Sequence, residues 1–162
     1  MSYRSKRRSF SCARYALVTA LVSLLAGCAL FGPSPTRVEA TITAAGDLNP
    51  NLEGRPSPLV IRIYELKSID AFQGSSFFKL YDTEAAALGA DLLGRDELEV
   101  RPGERYEYKR TLNNESRYIG VIGAYRDLDN AQWRASIKIP KNKKSSLAIR
   151  LGGLAVSVSM AD

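Results

Sequence analysis

The feature that most limits what this chain can fold into is a rhythm of short runs rich in β-branched and aromatic residues, most of them alternating apolar with polar, eight in all between Arg37 and Met160. A period of two puts every second side chain on one face of an extended strand. Val38, Ala40, Ile42 and Ala44 share a face within Arg37–Ala45. Leu59–Leu66 is densely apolar, broken only by Arg62 and Glu65. Asp96–Arg101 runs into Pro102-Gly103, a turn dipeptide. In Arg105–Leu112, Tyr106, Tyr108 and Leu112 oppose Arg105, Glu107 and Lys109. Arg117–Arg126 is apolar on both faces, and Gln132–Ile139 groups Trp133, Ala135, Ile137 and Ile139. Ser146–Leu151 and Leu154–Met160 flank Gly152-Gly153, which reads as a tight hairpin turn. Short strands at this spacing build a sandwich or barrel, and short loops favour antiparallel pairing. The fold class is therefore mainly β, a two-sheet antiparallel β-sandwich.

Two segments break the rhythm. Ser68–Leu93 carries helical signals: Ser75 or Ser76 can cap a turn starting at Phe77, and Phe77, Leu80 and Tyr81 then share a helical face. Thr83 can cap a second turn, Glu84–Leu88, which Gly89 stops. The reading is a small helical insertion packed on one side of the sandwich. The second segment, Gly46–Pro58, holds Asn49, Pro50, Asn51, Gly54, Pro56 and Pro58 in thirteen residues without periodicity. Loops of that length in a compact domain are usually functional or disordered.

The N-terminus reads as an address. Arg4, Lys6, Arg7, Arg8 and Arg14 form a positive region, and an eleven-residue, mainly apolar run from Ala16 to Ala26 follows. That is short of the roughly 20 residues a membrane-spanning helix needs, and it fits the apolar part of a secretory signal. The run ends in Leu25-Ala26-Gly27-Cys28, which resembles the lipobox of bacterial lipoproteins. Such a site implies a diacylglyceryl group on the Cys28 sulfur, cleavage before it, and acylation, typically by palmitate, of the new amine. Only a thiol among these side chains is nucleophilic enough for the first transfer. Ala29, in place of the aspartate that favours inner-membrane retention, points to the outer membrane. The expected organisation is a signal peptide at 1–27, a lipidated Cys with a Pro-containing spacer at 28–36, and a sandwich at 37–162.

Charge and composition then exclude several classes. Taking the five basic residues of the signal from the 23 in the chain leaves 18 against 17 acids, a net charge of +1 rather than +6. That balance argues against a nucleic-acid binder. One of the two cysteines, Cys12, leaves with the signal and the other is acylated, so packing must hold the fold. There is no histidine, which removes His-based acid–base catalysis, the Ser-His-Asp triad and nearly all zinc sites. The expectation is a non-enzyme with no metal and no cofactor beyond its lipid.

Several pieces in order resemble a known family. They are Gly54-Arg55-Pro56-Ser57-Pro58-Leu59-Val60-Ile61-Arg62-Ile63-Tyr64-Glu65-Leu66, then Phe77-Phe78-Lys79-Leu80-Tyr81-Asp82, Leu88-Gly89-Ala90-Asp91-Leu92-Leu93 and Pro102-Gly103-Glu104. Tyr118-Ile119-Gly120-Val121-Ile122-Gly123-Ala124-Tyr125-Arg126-Asp127 and Ala131-Gln132-Trp133-Arg134 follow. Together with the lipobox they resemble the TssJ (SciN/VasD) family, outer-membrane lipoproteins of type VI secretion systems. The resemblance implies a transthyretin-like sandwich with a helical insertion and a protruding loop between its first two strands. It implies a structural role: anchoring the secretion membrane complex by binding the periplasmic C-terminal domain of TssM, and through it TssL, from the outer membrane facing the periplasm. The loop implicated in that binding maps onto Asp47, Leu48, Asn49, Pro50, Asn51, Leu52, Glu53, Gly54 and Arg55. Replacing residues 47–57 by a Gly-Ser linker is expected to keep the fold and lose the partner. The alternative is a lipid-anchored periplasmic module for a small ligand or carbohydrate on a similar sandwich.

Other features have plainer readings. Arg62 and Glu65 read as solvent-facing or edge positions with a cross-strand ion pair, or as partner-facing. Phe72, Phe77, Phe78, Tyr81 and Trp133 read as core. Lys141, Lys143 and Lys144 read as a solvated turn, with anionic lipid head groups as the alternative. Asp127, Asp129 and Asn130 lack the sixth-position glycine and twelfth-position glutamate of a calcium loop and read as a turn. Asp96, Glu97 and Glu99 lack the sugar platform a glycosidase needs.

Overall fold

A computed structural model describes residues 34–161. The expected signal peptide, Cys28 and Ala29 lie outside the described residues. Two four-stranded sheets face each other, one ordered β4-β1-β7-β8 and the other β3-β2-β5-β6. The strands are β1 (Arg37–Ala44), β2 (Leu59–Leu66), β3 (Leu92–Val100), β4 (Arg105–Thr111), β5 (Tyr118–Gly123), β6 (Arg134–Lys138), β7 (Lys144–Leu151) and β8 (Val156–Met160). The alternation in β1 is realised as read: Val38, Ala40, Ile42 and Ala44 are all buried in the inter-sheet core with Leu59, Ile61, Ile63, Val121, Leu147 and Ile149.

The sandwich is not wholly antiparallel. β1 pairs with β7 in parallel, Val38 opposite Ser145 and Ile42 opposite Ile149. Short loops fix direction only between consecutive strands; β1 and β7 are distant in sequence, so no hairpin constrains them. Further differences are local. The Gly152-Gly153 turn is a four-residue loop, because the last pair is Leu151 with Val156 and Gly152 N donates to Ala155 O at 2.7 Å. Tyr106, opposite the core residue Ile42, is nevertheless exposed, since β4 is an edge strand. The spacer ends a residue early: Thr36 is fully buried, its hydroxyl accepts from Asn142 N at 2.9 Å, and its carbonyl accepts from Leu112 N.

The helical insertion contains α1 (Asp70–Gly74), α2 (Phe77–Asp82) and α3 (Glu84–Leu88), then a 3-10 turn at Gly89–Asp91. Helices this short have no stability of their own in water. They persist by covering the outer face of the second sheet, where Tyr64, Leu66, Phe72, Phe77, Leu80, Leu88 and Ile122 form a separate core. This explains why β5 is apolar on both faces. Gly120 on β5 is required by the close approach of the Phe72 ring: a Cβ there would lie 2.8 Å from the ring edge. As read, Ser76 caps α2, its hydroxyl accepting from Lys79 N at 3.5 Å, and Gly89 ends α3 at φ +52°. Thr83 does not cap α3 with its side chain; its hydroxyl donates backwards to Lys79 O. Phe78 is not core but exposed, leaning edge-on against Phe77.

Two arginines fasten the insertion. Arg62 donates to Glu97 at 2.6 Å, to Glu84 at 2.8 Å and to the Tyr81 carbonyl, with its guanidinium 4.0 Å over the Tyr81 ring. Arg134 donates to the carbonyls of Phe72 and Ser75 at 3.1 and 2.9 Å. Arg62 is therefore neither edge nor solvent-facing: β2 is a central strand and the insertion covers it.

A second polar group ties the two sheets at the β3/β4 edge. Asp96 accepts from Tyr108 Oη at 2.6 Å and from Arg110. Burial pushes the Asp96 carboxyl up, but these two bonds outweigh it and hold the carboxyl below its ordinary value. Burial and the same bond raise the Tyr108 phenol well above its usual range. A carboxyl with a lowered folded pKa stabilises the fold above its unfolded value of about 3.9, and that contribution is lost as the pH falls through the folded value. Asp96→Asn is thus expected to be less stable than the parent in urea at neutral pH, with the gap shrinking as the pH drops below about 4. A gap independent of pH would remove Asp96 from this role.

Candidate functional site

All loops of the sandwich lie at one of two ends. The chain enters at Ser34–Arg37, beside the 139–143 and 112–117 loops. β1, eight residues long, leads away by roughly 26 Å to the far end. There Gly46–Pro58 sits with the loops at 124–133 and 152–155.

The Gly46–Pro58 loop is held at its base. Leu48 is fully buried in the main core. Asn49 adopts φ +47°, a left-handed conformation that asparagine tolerates better than most residues. Its side chain is buried, donating to Pro58 O at 2.8 Å and accepting from Arg126 N at 2.8 Å, while its amide donates to Gly153 O at 2.9 Å. Ser57 N closes the base onto Leu48 O. Above this, the Asn51 side-chain oxygen accepts from Glu53 N at 3.0 Å and Arg55 N at 2.9 Å, and Gly54 turns the chain at φ +76°. Glu53 and Arg55 pair across the turn. The result is a small preformed knuckle with Leu52 fully exposed at its tip.

The nine residues read from the sequence therefore divide. Leu48 and Asn49 are anchors whose side chains face inward; Asp47, Leu52, Glu53, Gly54 and Arg55 are exposed, and Pro50 and Asn51 are half-buried. A linker replacing residues 47–57 would strip Leu48 from the core and Asn49 from three hydrogen bonds, so it would not keep the fold as expected. The structure also brings to this loop residues that the sequence did not connect with it. Arg126, Asp127 and Leu154 join Pro50, Leu52 and Glu53 around a recess of about 700 Å³. No local pattern marks their nearness to the loop, because only the topology brings those segments together. Beneath them Tyr125 is buried, its hydroxyl donating to Gly152 O at 3.3 Å, and burial raises its phenol well above the usual range.

The remaining candidates have other tasks. Asp127 accepts from Asn130 N and Nδ2, forming a turn. Asp96 faces the β4 edge, whereas Glu97, on the opposite face of β3, pairs with Arg62 and Arg95. Among the described residues no group of three or more His, Cys, Asp or Glu is arranged to hold a metal ion, and no helix is long and apolar enough to cross a membrane.

Fold and loop together place the chain among the small two-sheet, transthyretin-like sandwich proteins. The model of the family described as Type VI secretion lipoprotein (VasD, EvfM, TssJ) matches residues 36–154. The chain superposes on the crystal structure of the type VI secretion lipoprotein TssJ1 from Pseudomonas aeruginosa with a TM-score of 0.77 and 41% identity, over 79% of this chain and 98% of that one. It is also similar to Serratia marcescens Lip, a membrane-bound component of the type VI secretion system (TM-score 0.71, 26% identity, 79% of this chain and 97% of that one). A chain of a type VI membrane complex shares the fold at 19% identity, with a TM-score of 0.66 over 78% of this chain and 98% of that one. No curated protein sequence matches significantly. The chain belongs to the TssJ family of type VI secretion lipoproteins. Members are structural lipoproteins, held at a membrane by lipid.

Proposed function

We propose that this lipoprotein is the outer-membrane tether of a type VI secretion membrane complex, non-catalytic, lipidated on Cys28 and sorted outward by Ala29. Its sandwich faces the periplasm and its far-end knuckle grips the periplasmic C-terminal domain of a TssM-type inner-membrane protein, and through it TssL. The observation that carries this reading is positional. The chain enters the sandwich at one end, while the pinned loop with its exposed Leu52 stands at the other, where an anchored domain would present it to a protein approaching from the inner membrane. Preforming the knuckle through Asn49 and Asn51 lowers the ordering cost of binding. A single exposed apolar tip ringed by polar groups has the layout of an interface anchor.

Leu52→Asp tests this. Nothing packs on Leu52, so the variant should fold with unchanged stability. Binding to the purified periplasmic domain of the TssM-type protein from the same secretion cluster should weaken by about 30-fold or more, the usual cost of losing an anchor residue. Unchanged affinity by calorimetry would move the interface away from the knuckle.

A further inference from the structure

The mature chain is nearly neutral, but its charge is not evenly spread. The far-end loops at 45–58, 101–104, 124–133 and 152–155 hold five acidic residues against three basic ones. At the entry end, residues 138–144 hold four lysines and no acid, and Arg37 lies beside them. The placement is fixed by backbone bonds. Arg37 N donates to Lys143 O at 3.0 Å, and Asn142, at φ +58°, turns the loop so that its amide reaches Thr36 Oγ1. Arg37, Lys138, Lys141, Lys143 and Lys144 are all exposed. Lys144 pairs with Glu39 at 2.8 Å; among the described residues Arg37, Lys138, Lys141 and Lys143 have no carboxylate within ion-pair distance. Ser34, Pro35, Arg37, Asn142, Lys143 and Lys144 surround a recess of about 440 Å³.

A solvated turn would need no such concentration at the point where the chain arrives. The proposed anchor at Cys28 lies six residues before Ser34, so even a fully extended link is at most about 20 Å long. A membrane holding that anchor is therefore close to this end, and positive charge is attracted to anionic lipid within a Debye length of about 8 Å. We propose that the entry end is a seat for anionic phospholipid. Arg37, Lys141 and Lys143 contact the phosphate head groups of the leaflet that holds the anchor, with Lys138 and Lys144 at the rim. This rests on the tether reading above and extends it: the lipid fixes distance, and the basic end fixes orientation. With the entry end seated, β1 stands the knuckle off the surface by the length of the sandwich, which the lipid anchor alone would not do.

The test uses the full-length lipoprotein reconstituted into vesicles of phosphatidylethanolamine, with and without phosphatidylglycerol. The readout is amine-labelling rate at each lysine by mass spectrometry, with exposed Lys79 on the insertion as internal reference. At low salt, labelling of Lys141 and Lys143 should slow at least about fivefold in the anionic vesicles alone, the effect expected of one cation near such a surface. High salt should abolish the slowing. In the triple variant Arg37→Gln, Lys141→Gln, Lys143→Gln, the slowing at Lys138 and Lys144 should disappear while the protein still floats with both vesicle types. Equal labelling in both vesicle types would overturn the seat and leave the anchor standing. Failure to float with neutral vesicles would overturn the anchor instead. The seat is then judged on the non-acylated chain, which should bind anionic vesicles on the order of 100-fold more tightly than the triple variant, and equal binding would overturn it. The same slowing by inorganic phosphate without vesicles would assign the recess to a free anion and also overturn the proposal.

Discussion

Replacing Glu65 with alanine is expected to lower the unfolding free energy by roughly 3–5 kcal/mol, the cost of breaking a buried ionic group from one side. Glu65 is only 4% exposed although it carries a charge. It lies on the core side of β2, at the entry end of the inter-sheet space. Its carboxylate accepts from Asn113 N and Ser116 Oγ, near the two ends of the β4–β5 loop, and lies 3.4 Å from Arg110 Nε. Alanine would leave the Asn113 amide and the Ser116 hydroxyl without their acceptor and Arg110 with Asp96 as its remaining carboxylate. Glu65→Gln should fall between, because its amide nitrogen would meet donors where an oxygen is required. Urea unfolding of the three proteins, with hydrogen exchange of residues 112–117, reads both effects. A loss below about 1 kcal/mol would mean the group is no more than a surface ion pair.

Phe72→Ala should cost a similar amount, about 3–5 kcal/mol for a buried aromatic truncated to a methyl, but it should act in a different place. Phe72 is 1% exposed, its ring lies on Gly120 and 5.8 Å from Tyr64, and its carbonyl receives Arg134. It belongs to the outer core, which is distinct from the inter-sheet core. The amides of residues 70–88 should therefore exchange much faster, because helices of five or six residues cannot hold without docking, while β1 and β7 stay protected. Equal acceleration throughout would show that the two cores unfold as one.

The contrast between these residues explains what could be read in advance. Period-two alternation located six of the eight strands, since it reports burial on one face and needs no knowledge of neighbours, and dense apolar runs located β2 and β5. The α2 cap and the Gly89 stop were legible because both are local backbone effects. α1 was not: the residue at its N-cap, Ile69, makes no side-chain capping bond, and five residues give no period to detect. From sequence alone Arg62 and Glu65 read as surface, because a charge within an apolar strand normally marks a wet position. Here one is covered by the insertion and the other is sealed by the β4–β5 loop. For the candidate loop, the sequence located the segment and the asparagines. It could not separate Leu48 and Asn49, which hold the base, from Leu52, which is presented at the tip.

By itself, then, the sequence determined the strand content, the insertion and the turn positions, since each depends on residues near one another in the chain. Tertiary structure alone decided the parallel β1–β7 pair, the second core outside the sandwich, the burial of Glu65, and the meeting of Arg126 and Leu154 with the far-end loop. Those features join segments tens of residues apart. No local propensity encodes such pairings; they are selected by how two sheets and a cap bury their apolar faces together while every enclosed charge finds a partner.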